Sequence, residues 1–250
     1  MATAGGARWA RLRTGLHGLG ERIDALGTRS LLVASGLVLA VLLVAVAATH
    51  VIATPAGGLG GVTVRDELDA PDRTPLTEAA EGRPWVLHGS WVEEDGAARV
   101  VAAGPLREAA SAVVDVGSTD VLVVVEAGVV VDGWGVAVRY QDAEHLVAVV
   151  GVPSFGGYRV VAVEDGNVRE LGRVPLASSQ PGTELTVVLS GDQLVVLVDR
   201  VPRAPIAVPD TPQGTSVGLY ALPRTVPTAS WRSFFVQTLG GAAGLSPARQ

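Results

Sequence analysis

Residues Gly133 to Gly151 read GWGVAVRYQDAEHLVAVVG. Valine-rich runs flank a centre of Arg139, Tyr140, Gln141, Asp142, Glu144 and His145. Each run is too short for a helix of ordinary length and rich in β-branched side chains, so the stretch predicts two strands joined through a polar tip. The tip has two readings. It is the solvated end of a hairpin, or it is part of a ligand site.

The same texture continues outward from this hairpin. From Trp85 onward, short apolar runs alternate with turns of Gly, Pro, Asn, Asp and Ser: WVLHGSWVEE, ARVVAA, SAVVDVG, DVLVVVEAGVVV, HLVAVVGV, YRVVAVED, LTVVLSG, QLVVLVDR, SVGLYAL and SWRSFFVQ. Many strands at regular spacing, with no amphipathic helix between them, indicate a mainly β chain folded as an antiparallel sandwich over 85–238. Asp165-Gly166-Asn167 and Gly191-Asp192 each place turn formers between two strand runs, which predicts two further hairpins.

Upstream the character changes. Leu31 to Ala53 is uncharged over 23 residues; as a helix it is about 35 Å long, enough for a hydrocarbon core of about 30 Å. It reads as one transmembrane helix. Arg8, Arg11, Arg13, Arg22 and Arg29 precede it against Glu21 and Asp24, net +3, so the overall charge of −6 leaves −9 beyond it. That asymmetry places the N-terminus in the cytoplasm and the rest outside the cell membrane. The rival reading is a cleaved signal peptide with Ala45-Val46-Ala47 at its small-residue site, although the apolar run exceeds the usual signal length.

Residues 1–30 carry apolar positions Trp9, Leu12, Leu16, Leu19, Ile23 and Leu26 at helical spacing beside the arginines. This suits a basic amphipathic stub on the inner leaflet. Residues 54–84, rich in Gly, Pro and acid, read as a tether, and 239–250 as a disordered tail. Gly36 and Ala40 in the span offer a small-residue contact for a homodimer. An acidic outer portion excludes nucleic acid as a natural partner. The absence of cysteine rules out disulfides, thiol nucleophiles and thiolate metal sites.

The order of the strand motifs carries a resemblance. Gly89-Ser90-Trp91 is followed by Asp95-Gly96; Gly135-Val136-Ala137-Val138-Arg139 runs into Gln141-Asp142; then come Gly182-Thr183-Glu184-Leu185, Val198-Asp199, Val217-Gly218-Leu219 and Phe234-Phe235-Val236. In this order the chain resembles the concanavalin A-like lectin and glucanase superfamily, in particular its laminin-G-like and keto-disaccharide-hydrolase-like bacterial branches. The resemblance implies a jelly-roll sandwich and a carbohydrate-related role. Two positions depart from the pattern: Arg200 follows Asp199 where a glycine is usual, and Trp231-Arg232-Ser233-Phe234 replaces Phe-Asp-Asn-Phe.

Catalytic chemistry finds little support in the residues. The paired-carboxylate motif of laminarinase-type glucanases has its nearest match at Glu67-Leu68-Asp69-Ala70-Pro71-Asp72, where a proline disfavours a central strand. His88 and His145 lack partners at metal-ligand spacing, and Asp115, Asp120, Asp132 and Asp142 form no looped calcium motif, so neither a metal nor a cofactor is expected. If the polar tip is functional, Arg139, Tyr140, Asp142 and His145, with Trp134 and Tyr158, form a sugar platform on which rings stack and polar groups bond hydroxyls. The expectation is a membrane-anchored binding module for a cell-envelope glycan or envelope protein. A glycan-processing enzyme with a non-standard site and a scaffold subunit of a membrane complex are the alternatives. The topology has a direct check: protease added outside intact cells is expected to release the β domain and leave the stub membrane-bound, whereas a soluble protein starting near Ala48 would instead mark a cleaved signal.

Overall fold

A computed structural model describes residues 61–70, 73–79, 83–102, 109–175, 180–223 and 228–239. The chain divides into two compact units, Met1–Gly57 and Gly58–Gln250, and the described residues all belong to the second. The stub, the candidate span 31–53 and the tail from 240 lie outside the described residues. Among the described residues no helix is long and apolar enough to cross a membrane.

The strands in chain order are β1 (Thr63–Asp66), β2 (Thr74–Pro75), β3 (Glu78–Ala79), β4 (Arg83–Pro84), β5 (Val86–His88), β6 (Ser90–Glu93) and β7 (Ala98–Ala102). They continue with β8 (Ala110–Asp115), β9 (Val121–Val129), β10 (Trp134–Asp142), β11 (His145–Val152), β12 (Gly157–Glu164) and β13 (Asn167–Pro175). The last are β14 (Glu184–Ser190), β15 (Gln193–Val198), β16 (Val201–Pro202), β17 (Ile206–Ala207), β18 (Ser216–Ala221) and β19 (Ser230–Thr238). One sheet runs β16-β15-β14-β9-β19-β7-β6-β2, with β1 also on β19 and β17 also on β15. The other runs β13-β12-β11-β10-β18-β8-β5, and β3 and β4 form a separate hairpin. The antiparallel sandwich expected from the sequence is the architecture found.

Turn chemistry places the hairpins where the sequence puts them. Asp165 and Gly166 both adopt left-handed backbone (φ 50° and 73°) between Glu164 and Asn167, as a two-residue type I′ turn requires. Asp95 and Gly96 do the same between β6 and β7 (φ 54° and 68°). After Asp199, at φ 49°, Arg200 also takes up left-handed backbone at φ 64° while its guanidinium pairs with Glu184 at 3.3 Å.

The sandwich begins earlier than Trp85. Part of the stretch expected to be a tether is woven into it: β1 pairs with β19 from Thr63↔Gln237 to Asp66↔Phe234, and β2 pairs with β6. Val64, Leu68 and Leu76 are fully buried. Asp66 accepts hydrogen bonds from the Trp85 indole and from the Leu68 N–H, both at 3.0 Å, so the acidic residues here position the chain. Strands of two to four residues interrupted by proline leave no sustained period to detect.

The core between the sheets is mostly valine, leucine and alanine, with tryptophans and Phe234 at its centre. Trp134 of β10 and Trp231 of β19 stack at 5.8 Å and 19°, and Trp91 packs on Trp231 at 5.3 Å. The two stacked rings also exchange hydrogen bonds across the sandwich: Trp134 Nε1–H donates to the Ser230 carbonyl (3.0 Å) and Trp231 Nε1–H to the Gly135 carbonyl (3.1 Å). A side chain at Gly135 would collide with the carbonyl of Val149 on β11, so only glycine lets β10 sit this close.

Both ends of the described unit meet at one end of the sandwich. The Thr238 N–H donates to the Val62 carbonyl and the Leu239 N–H to the Asp120 carbonyl. The tips of β10–β11, β12–β13 and β14–β15 lie at that end, while the turns at 129–133 and 153–156 lie at the other. Trp134→Phe and Trp231→Phe should each leave a buried carbonyl bare and cost about 1–3 kcal/mol in urea unfolding. The double variant should deviate from additivity by about 0.5 kcal/mol or more, because the rings are in contact. Strict additivity with small single effects would show that the exchange does not hold the sheets.

Candidate functional site

Strands β10 and β11 are buried on both faces. One set, Trp134, Val136 and Val138 with, across the ladder, Val147 and Val149, joins the core between the sheets. The alternate set, Ala137, Tyr140, Leu146, Ala148 and Val150, joins Val113, Val161, Val163 and Tyr220 in a second apolar cluster drawn only from the seven-stranded sheet, on its outer face. Continuous apolar runs, in place of strict alternation, are what such two-sided burial looks like in a sequence.

The strand register lays out this outer face. Ser111 pairs with Tyr220, which pairs with Gly135, which pairs with Val150, which pairs with Arg159, which pairs with Arg173. The next row is Val113, Gly218, Ala137, Ala148, Val161 and Glu170. Small residues thus form the floor, with phenols on one side and ionic groups on the other. A side chain on Gly218 would strike the Ala112 carbonyl. On the phenol side the Tyr140 hydroxyl and Ser111 Oγ are hydrogen-bonded at 3.1 Å. Tyr140 and Tyr220 are 8% and 5% exposed and Ala137 and Ala148 are fully buried, so little of this part of the face reaches solvent. On the ionic side Glu170 accepts from Arg159 Nε and Arg173 Nε, each at 2.7 Å.

Electrostatics follow from these neighbours. Burial raises the Tyr140 phenol, the Ser111 hydrogen bond lowers it and Asp142 raises it, for a net rise. Burial, then Tyr140, push Tyr220 up to about 12. Both phenols therefore stay protonated as hydroxyl donors and acceptors. The hydrogen bond from Arg173 lowers the Glu170 carboxyl, burial opposes it, and the Arg159 hydrogen bond with the charges of both arginines leaves it below its ordinary range. A carboxylate held ionised in this way is a poor general acid.

The six residues singled out in the sequence separate into four places. Trp134 and Tyr158 are buried between the sheets and offer no ring face to a sugar. Strand parity puts them there, in step with Val136, Val138 and Val160. Tyr140 is the one on the outer face. Asp142 and His145 sit at the β10–β11 tip, hydrogen-bonded to each other at 2.8 Å.

Arg139 is a clamp between the sheets. It occupies a bulge in β10, at φ 48°, and is 2% exposed. Its guanidinium donates to Thr211 Oγ1 (2.7 Å), to the Gly191 carbonyl (2.6 Å) and to the Val208 carbonyl (3.5 Å), while the Gly191 N–H donates to Asp120. Burial lowers its pKa, offset in part by the charges of Asp192 and Asp120. The bulge redirects this one side chain inward, which strand parity does not foresee.

Tyr220, Ser111, Arg159, Glu170 and Arg173 were not singled out in the sequence. The parity of each within its own strand was readable, but their meeting depends on β18 lying between β8 and β10, a long-range pairing. Among the described residues no group of three or more His, Asp or Glu is placed to hold a metal. Asp115, Asp120, Asp132 and Asp142 bond separately to Thr215, Gly191, Ser154 and His145.

No family model matches the sequence, and no curated protein matches it. Several solved structures are similar in fold. The carbohydrate-binding module CBM66 from Bacillus subtilis is 14% identical, covering 60% of this chain and 91% of that one, with a TM-score of 0.47. The exoplasmic/lumenal domain of VIP36 is 15% identical over 73% of this chain and 90% of its own, with a TM-score of 0.47. The Crh5 transglycosylase is 12% identical over 74% and 87%, with a TM-score of 0.49. These likenesses concern the β-sandwich and assign no role to any residue.

The clamp makes a specific prediction. Arg139→Met should bare the buried acceptors at Gly191 and Thr211, costing about 1–3 kcal/mol for each. Arg139→Lys should destabilise less, yet leave any ligand affinity of the folded protein unchanged. Loss of binding by a fully folded Arg139→Lys variant would return this residue to the binding site.

Proposed function

We propose that this chain is a membrane-anchored, extracytoplasmic recognition module for a cell-envelope glycan, acting without catalysis through the exposed β12–β13 side of its seven-stranded sheet. The observation that carries the reading is the Arg159–Glu170–Arg173 ion ladder, which stands exposed on β12 and β13 at the border of a sheet face whose small residues and phenols are buried. Polyhydroxylated ligands need closely spaced donors and acceptors, and the exposed ladder supplies them. The Glu170 carboxylate is committed to two arginines, which suits binding better than proton transfer. The anchor and outward placement rest on the uncharged run Leu31 to Ala53 and the arginines before it.

A second reading is favoured by one observation. Phe155 is 87% exposed on the 3-10 turn Pro153–Phe155, which Asp132 braces by accepting from the Ser154 N–H at 3.0 Å. A large apolar ring held out on a braced turn suits an envelope protein as partner.

A polysaccharide array probed with residues 58–250, which include β1 and the whole core, separates the two. Glycan binding should weaken about three- to tenfold in Arg159→Ala and in Arg173→Ala, the range of one lost hydrogen bond. Retention of no polysaccharide, with a protein crosslinked at Phe155 in its place, would sink the glycan reading and support the second.

A further inference from the structure

His145 stands across from Asp142 at the closure of the β10–β11 hairpin. Its Nδ1 lies 2.8 Å from Asp142 Oδ1, and its Nε2 lies 3.1 Å from Asp165 Oδ1 in the turn of the neighbouring β12–β13 hairpin. A carboxylate only accepts hydrogen bonds, and a neutral imidazole has a single N–H to donate. Both contacts together therefore need the imidazolium form. The backbone already brings these tips side by side, since the Gly166 N–H donates to the Glu144 carbonyl at 3.3 Å.

We propose that His145 is a proton-operated latch that ties the β10–β11 tip to the β12–β13 tip. The charged groups around it are Asp142 and Glu144 on its own hairpin, and Asp165, Glu164 and Arg169 on the neighbour, with Glu164 and Arg169 paired at 2.8 Å. When the imidazole loses its proton, Asp142, Glu144 and Asp165 are left as like charges on adjoining tips. The cross-tip bond is then lost.

The pH window follows from the partners. The hydrogen bonds from Asp142, then Asp165, raise His145 above its ordinary value, so the latch is closed below that value and opens as pH rises through the raised one. At the acid end burial pushes Asp142 up, but the His145 hydrogen bond, the Glu144 N–H and the His145 charge together hold it below its ordinary range. The latch therefore opens again only as pH falls through that lowered value.

The latch is independent of the glycan reading, because its readout is the tip itself. In the full chain in detergent micelles, nitrogen NMR of the histidine rings should give a His145 midpoint above about 6.5. The Gly166 amide should move with the same midpoint. Asp165→Asn, a change at a site 89% exposed on the surface, should lower that midpoint without harming the core. His145→Gln should silence the response at Gly166. An ordinary midpoint, a Gly166 amide indifferent to it, or a midpoint untouched by Asp165→Asn would each overturn the latch.

Discussion

The exchange of indole N–H donors between Trp134 and Trp231 fixes what the rest of the sandwich leaves loose. Hydrophobic burial is non-directional, and a core built largely from valine, leucine and alanine has many near-equivalent ways to slide one sheet over the other. Two buried hydrogen bonds in opposite senses allow only one offset. Because Trp134 opens β10 and Trp231 lies near the start of β19, that offset sets the central strand of each sheet.

The second dependence is at the other end of β10. An inserted residue at Arg139 turns a long charged side chain into the sandwich, where it joins two turns of the opposite sheet. Beyond the bulge the strand resumes with Tyr140 on the outer face. One backbone irregularity thus builds an internal clamp and places a phenol on the opposite side of the sheet. The two residues are neighbours in sequence and serve different faces.

Much of this was legible in the sequence. Strand runs from Trp85 onward and the Asp165-Gly166 and Gly191-Asp192 hairpins follow from side-chain branching and turn chemistry, which act locally. β1 and β2 were not legible, because single buried residues such as Val64 and Leu76 in short strands set up no period. At the candidate site, the burial of Trp134 could have been read from its parity with Val136 and Val138. The inward turn of Arg139 could not, since a bulge breaks that parity. The association of Tyr140 with Ser111 and Tyr220 depends on strands distant in the chain, and neither composition nor spacing encodes which strand lies between which.

The meeting of Val62 with Thr238 at one end of the sandwich has a mechanical consequence. A load applied between residue 61 and the turns at the far end runs along the axis of β1, which is laid antiparallel on β19 over Thr63–Asp66. The rungs of that ladder lie across the load and must yield together in shear; they are not peeled one at a time. Forced opening is governed by the barrier to breaking such a set at once. A domain pulled by its leading strand while held at its opposite end would accordingly resist extension at the place where its chain begins.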